Sequence, residues 1–224
     1  MSLVKICGLM NKEDTAFCCQ AGVSFLGFIV EYPAYVPWNL TQEKAAALMK
    51  SMSGKSLSCI VTGGEPGNIL RLAGNLKPDF IQLHYKETFE ETLFLSKELK
   101  KLGIQTIKAL PVDAGGKCEM AEFETPGEAA EALSKTDVSM LLIDSRSGAN
   151  PTKSQKLNLT FYQEAAAAST KPVLLAGGIH TGNLPAILEA VNPFAVDILT
   201  GAETAPGVKN YLEIQAICSL CSKN

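Results

Sequence analysis

Cys7 and Asp144 are the residues whose types and neighbours point most directly to chemistry. Each closes a short strand-like run, Val4-Lys5-Ile6 in one case and the apolar Met140-Leu141-Leu142-Ile143 in the other. A thiol supplies a nucleophile or a base once it ionises, and a carboxyl supplies an acid or a base. Gly8, directly after Cys7, lets the backbone turn sharply and lets a ligand come close. Each residue also has a plainer reading. Buried cysteines commonly fill space in a core, and a carboxylate after a strand can cap the loop that follows. For Asp144 the site is favoured; for Cys7 both readings stand.

Two glycine-rich segments add a ligand class. Gly177-Gly178 and Thr200-Gly201-Ala202 each follow an apolar run late in the chain. Backbone N–H groups gathered in such turns receive anions, which makes Gly177, Gly178, Thr200, Gly201 and Ala202 a candidate phosphate site. Asp197 lies within the apolar run Ala195–Leu199, where a charge must find a partner. It either binds substrate or joins an internal ion pair. His84 is of the type that moves protons near neutral pH, although a hydrogen bond within its loop is the commoner use. His180 reads as a loop residue. Cys218 and Cys221 form a single CxxC with no histidine nearby, so they read as small residues one helical turn apart rather than a zinc site.

The elements that must position these groups alternate along the whole chain. Apolar runs at Val4–Cys7, Phe25–Val30, Leu57–Val61, Phe80–Leu83, Ile104–Leu110, Met140–Ile143, Val173–Ala176 and Ala195–Leu199 predict strands. Between and after them, helices are predicted over Glu13–Ala21, Thr41–Met52, Pro66–Leu76, Thr88–Leu102, Pro126–Ser134, Thr160–Ala168, Gly182–Val191 and Tyr211–Cys221. Continuous apolar strands suit a parallel sheet covered on both faces. An open doubly wound sheet would accommodate the alternation. Eight regularly spaced units favour a closed (β/α)8 TIM barrel, one domain over residues 1–224. In such a barrel ligands meet the carboxyl ends of the strands. Cys7, His84, Asp144 and both glycine segments all fall there.

Composition narrows the function. A net charge of -3 over 224 residues argues against a nucleic-acid partner. No apolar run is long enough for a transmembrane helix, and the opening lacks a signal-peptide pattern. The seven cysteines are odd in number and suit reduced thiols in a cytoplasmic protein.

Read together, the motifs resemble a known family. Lys5-Ile6-Cys7-Gly8, Glu13-Asp14, Ala21-Gly22 and Leu26-Gly27-Phe28 resemble the opening of phosphoribosylanthranilate isomerases. The likeness continues through Ile81-Gln82-Leu83-His84, Ile107-Lys108-Ala109, Leu142-Ile143-Asp144, Leu175-Ala176-Gly177-Gly178-Ile179 and Asn183. It closes with Pro193-Phe194-Ala195-Val196-Asp197, Gly201-Ala202-Glu203 and Pro206-Gly207-Val208-Lys209. The resemblance implies a cofactor-independent aldose–ketose isomerase of tryptophan biosynthesis, working by an Amadori rearrangement on a small phosphorylated sugar. It implies Asp144 as the acid that opens the furanose ring and Cys7 as the base at C2 of the sugar. The expectation is no metal, no membrane, and a monomer or homodimer.

Two departures bear on the substrate. The family carries an arginine in the loop after the second strand, near the anthranilate group. Here that loop reads Tyr32-Pro33-Ala34-Tyr35-Val36-Pro37-Trp38-Asn39, and the only arginines of the chain are Arg71 and Arg146. Trp38 can stack on an aromatic ring, and Arg146 is the candidate cation. The Gly-Gly-x-Gly-Lys element after the sixth strand is replaced by Ser147-Gly148-Ala149-Asn150-Pro151-Thr152-Lys153, leaving Lys153 or Lys156 to reach the phosphate. His84, Arg146, Asp197 and Trp38 are therefore the candidate substrate-binding residues. Three readings follow: an isomerase of phosphoribosylanthranilate, the same reaction on another phosphorylated aminosugar, or a barrel that binds phosphate without catalysis.

Overall fold

A computed structural model of the chain describes residues 1–113, 117–118, 120–144 and 159–223. Arg146, Lys153 and Lys156 lie outside the described residues. In chain order the elements are β1 (Leu3–Ile6), α1 (Lys12–Gln20), β2 (Phe25–Ile29), α2 (Gln42–Lys50), β3 (Leu57–Thr62), α3 (Pro66–Leu76), β4 (Phe80–Leu83) and α4 (Phe89–Lys101). There follow β5 (Gln105–Pro111), α5 (Pro126–Ser134), β6 (Met140–Asp144), α6 (Thr160–Ala168), β7 (Val173–Ala176), α7 (Leu184–Val191) and β8 (Ala195–Ile198). A short hairpin, β9 (Glu203–Ala205) and β10 (Val208–Lys209), precedes α8 (Tyr211–Lys223).

Strands β1 to β8 pair in parallel, each with its neighbour in sequence, and β8 returns to β1 to close the barrel. The period-two alternation of strand side chains, with both faces covered, explains why most strand residues are apolar. One set, including Phe25, Cys59, Phe80, Ile107, Leu142 and Leu174, fills the barrel interior. The other, including Ile6, Leu26, Phe28, Ile60 and Ile81, packs outward under the helices. Near the carboxyl ends of the strands the interior opens at Cys7, Ile29 and Val61, with Tyr32, Val36, Trp38 and Leu199 against them.

Helix starts follow local chemistry. Thr41 and Thr125 cap α2 and α5 through their hydroxyls, and Thr88 and Glu91 form a reciprocal capping box on α4. Helix α7 begins at Leu184, two residues later than the sequence reading from Gly182. The Asn183 side chain is committed to the preceding loop: its amide donates to the Gly178 carbonyl at 3.0 Å and its oxygen accepts from the His180 N–H at 2.9 Å. The β9–β10 hairpin was not anticipated. It turns at Gly207, whose φ of 80° suits glycine.

The buried thiols have a consequence for alkaline stability. Burial pushes the Cys18 and Cys59 thiols up to about 12, and Cys221 up to about 11. The folded chain therefore keeps protons that an unfolded chain releases near pH ~8.5. The stabilisation is complete below that pH and declines by about 1.4 kcal/mol per pH unit per thiol as pH rises toward the folded values. Denaturant unfolding followed between about pH 8.5 and 10.5 should show this decline, and Cys59→Ala should make it shallower by about 1.4 kcal/mol per pH unit, the share of one thiol. A stability that is level over that range would contradict burial as the cause.

Candidate active site

The carboxyl-terminal mouth of the barrel encloses a cavity of about 510 Å3. Its lining brings together Cys7, Trp38, His84, Asp144, Gly177, Gly178, Asp197, Thr200 and Gly201. Of the candidate site residues that the structure describes, only Ala202 is not in this wall. Arg146 lies outside the described residues. Ala202 is fully buried behind the wall, with its N–H donating to the Leu199 carbonyl at 3.1 Å.

Cys7 sits one step beyond β1, on the same inward face as Lys5. Closure of the barrel sets Lys5 level with Asp197 on β8. Their side chains pair at 2.7 Å, with Lys5 wholly buried and Asp197 nearly so. Burial alone would lower the Lys5 pKa, but the Asp197 carboxylate and the nearby Cys7 hold it well above its ordinary value. The ion-pair reading of Asp197 is realised through Oδ2; its Oδ1 is buried without a hydrogen-bond partner among the described residues, and the residue lines the cavity. Burial raises the Cys7 thiol pKa, against the opposing pull of the Lys5 and Lys209 ammonium groups. Gly27 makes room for it, since a Cβ there would stand 2.8 Å from Cys7 Sγ.

Asp144 ends β6 and meets His84 across the mouth, with Nε2 3.3 Å from Oδ2. The buried Gln82 lies 2.9 Å from the other imidazole nitrogen through its amide nitrogen. Its oxygen faces the Cys59 thiol at 4.0 Å, which leaves the amide N–H to donate to His84 Nδ1. The imidazole proton then sits on Nε2, aimed at Asp144. The His84 carbonyl accepts from the Tyr32 hydroxyl at 2.6 Å and its N–H donates to the Thr62 carbonyl at 3.1 Å, so the histidine is held at both ends.

A second chain of contacts joins Cys7 to Trp38. Buried Lys209 donates to the Cys7 carbonyl at 2.6 Å and pairs with Glu203 at 2.8 Å. Glu203 in turn accepts the Trp38 indole N–H, at 2.9 and 3.2 Å to its two oxygens. The indole rests over Gly8, where a Cβ would lie 3.0 Å from Trp38 Cδ1 and where φ is 72°. Gly8 is therefore needed both for its backbone and for the contact.

The two glycine segments meet at the wall. Gly177 and Gly178 have φ of 96° and 64°. Gly201 lies so close to the β7–α7 loop that an added Cβ would stand 1.9 Å from the Ile179 carbonyl oxygen. Gly201→Ala must push the two loops apart, with a strain of about 1–3 kcal/mol. Its expected outcome is a rise of roughly 10- to 100-fold in the inhibition constant of inorganic phosphate at little cost to kcat. An unchanged constant would remove these loops from anion binding.

Sequence reasoning missed Lys5, Gln82, Glu203 and Lys209 as site components. For Lys5 a signal existed. A lysine within β1 and an aspartate within β8 are opposite charges in apolar strands that a closed barrel makes neighbours. His180, read as a loop residue, accepts the Gly182 N–H at 3.1 Å. Cys218 and Cys221 are free thiols on α8.

This arrangement can be set beside known proteins. The model of the N-(5'phosphoribosyl)anthranilate (PRA) isomerase family matches residues 4–219. The N-(5'-phosphoribosyl)anthranilate isomerase of Methanocaldococcus jannaschii is 28% identical over 221 residues, covering 98% of this chain and 96% of its own. That of Methanopyrus kandleri is 30% identical over 212 residues, covering 94% of each chain. Among solved structures, the phosphoribosyl anthranilate isomerase of Thermotoga maritima superposes over 100% of both chains with a TM-score of 0.83 at 24% identity. A phosphoribosyl anthranilate isomerase in complex with reduced 1-(o-carboxyphenylamino)-1-deoxyribulose 5-phosphate gives a TM-score of 0.77 at 25% identity, over 100% of both chains. Fold, motif order and full-length similarity agree, and the chain belongs to the N-(5'-phosphoribosyl)anthranilate isomerase family.

Proposed function

We propose that this chain isomerises N-(5'-phosphoribosyl)anthranilate to 1-(o-carboxyphenylamino)-1-deoxyribulose 5-phosphate, an intramolecular oxidoreduction of tryptophan biosynthesis, with Asp144 as acid and Cys7 as base. The observation that carries the assignment is that Cys7, Asp144 and both glycine segments line one cavity. With the phosphate against Gly177, Gly178, Thr200 and Gly201, the sugar lies between the thiol and the carboxyl.

Asp144 gives its proton to the furanose ring oxygen, and the C1–O bond breaks to leave a Schiff base. The His84 Nε2–H beside it orients the carboxyl and steadies the carboxylate that forms. The Cys7 thiolate takes the proton from C2, giving an enolamine. Loss of the O2 proton and gain of one at C1 complete the ketone. C2 is oxidised, C1 is reduced, and no electron leaves the substrate. Asp197, paired with Lys5 in the same cavity wall, stands beside the sugar.

The test is loss of anthranilate-type fluorescence when purified protein meets phosphoribosylanthranilate. Turnover is expected. Its absence at high enzyme concentration would overturn the reading. Because burial raises the Cys7 pKa, the thiolate fraction grows with pH. The logarithm of kcat/KM should still climb above about pH 8. A profile already level at neutral pH would remove Cys7 as the base.

A further inference from the structure

Trp38 occupies a place in the mouth that the proton-transfer pair does not explain. Its indole N–H is clamped by Glu203, and Glu203 is itself held by Lys209 and by the Gly207 N–H at 3.2 Å. The Lys209 and Glu203 side chains are almost wholly buried, 0% and 3% exposed, so the clamp is stiff. Cγ and Cδ1 lie against Gly8. The pyrrole edge is thereby committed, and what the indole gives to the cavity is apolar ring surface. Ile29, Val36 and Val61 continue that surface around the mouth.

Charge points the same way. The acidic side chains on the described lining are Asp144 and Asp197, and Glu203 stands directly behind Trp38. Among the described residues the nearby ammonium groups are already engaged, Lys5 with Asp197 and Lys209 with Glu203 and the Cys7 carbonyl. Among the described residues, this side of the mouth therefore offers a stacking surface backed by a carboxylate.

We propose that Trp38 determines specificity for the nitrogen-linked group of the substrate: it takes an aromatic ring by stacking and does not read a carboxylate on that ring. N-aryl aminosugar phosphates without the anthranilate carboxyl are then ligands of the same rank as the anthranilate compound. Glu203 is the positioning residue that holds the indole in place. The inference rests on the proposed function, in that an N-aryl aminosugar phosphate is taken to occupy this cavity.

Calorimetry with two unreactive ligands tests it: the reduced product bearing the ring carboxyl, and the same compound with a plain phenyl ring. The wild-type protein should bind them within about 3-fold of each other. Trp38→Ala should weaken both by about 10-fold with the ratio unchanged, and Trp38→Arg should favour the carboxyl form by about 10-fold. A wild-type preference above about 30-fold for the carboxyl form would overturn the inference, as would unchanged affinities in Trp38→Ala. The comparison on the wild-type chain stands whether or not a variant folds. Turnover of phosphoribosylanthranilate is scored separately. Turnover with strong carboxyl discrimination sinks the specificity inference and leaves the isomerase; tight binding of both ligands without turnover does the reverse.

Discussion

Cys7→Ser should lower kcat by about 10^2- to 10^4-fold while leaving the protein folded and KM within a few fold. Serine is close to cysteine in size, and the tight fit against Gly27 tolerates it. Its hydroxyl does not ionise in the range where a thiol does, so the proton on C2 loses its acceptor. Asp144→Asn should give a loss of similar size for the opposite reason. The amide keeps a hydrogen-bonding partner for His84 but has no proton to give to the ring oxygen. With the two residues acting on one substrate in succession, as proposed, the double variant should fall little below the worse single one. Steady-state kinetics with far-ultraviolet circular dichroism as a folding control decide the matter. Cys7→Ser at more than about a tenth of wild-type kcat would exclude the thiol as base.

Lys5→Met should cost more in stability than any other single change at the mouth, about 3–5 kcal/mol. The variant leaves the Asp197 carboxylate in a nearly closed interior with no counter-charge. Replacing both partners, as Lys5→Met with Asp197→Leu, should recover most of that loss, because neither charge then has to be desolvated. Activity should not return with stability. Lys5 is one of two ammonium groups that pull the Cys7 pKa down against burial, so its loss moves the rising limb of the pH–rate profile to higher pH. The sign for stability follows from the raised Lys5 pKa. The pair contributes fully below the ordinary lysine value near pH ~10.4 and is lost as pH rises through the folded value. Urea unfolding at neutral pH is the measurement. A cost under about 1 kcal/mol would mean that Asp197 is satisfied without Lys5.

How far the sequence carried depended on the range of the interaction. Strands β4 and β7 and helices α3, α5 and α6 could be bounded from apolar runs, prolines and caps, because those signals act within a few residues. The order of the strands gave the barrel, and the barrel brought Cys7, Asp144 and both glycine segments to one mouth. The Trp38–Glu203 clamp spans 165 positions, and nothing local announces it. Nor is the late start of α7 visible, since the sequence reading begins that helix at Gly182, while in the fold the Asn183 side chain is held by the Gly178 and His180 backbone. Gln82 was hidden for another reason: within an apolar strand it reads as one polar interruption, and only the third dimension sets it behind His84.

The Lys5–Asp197 pair joins residues 192 positions apart along the seam where the last strand meets the first. On the ribosome, β1 is made long before its counter-charge. Until β8 emerges, the lysine beside Cys7 has no aspartate to hold it in the interior, and Lys209, which grips the Cys7 carbonyl, comes later still. A nascent or stalled chain thus carries Cys7 as an ordinary thiol. The surroundings that set the Cys7 thiol are therefore complete only when the final unit has been made and the seam has closed.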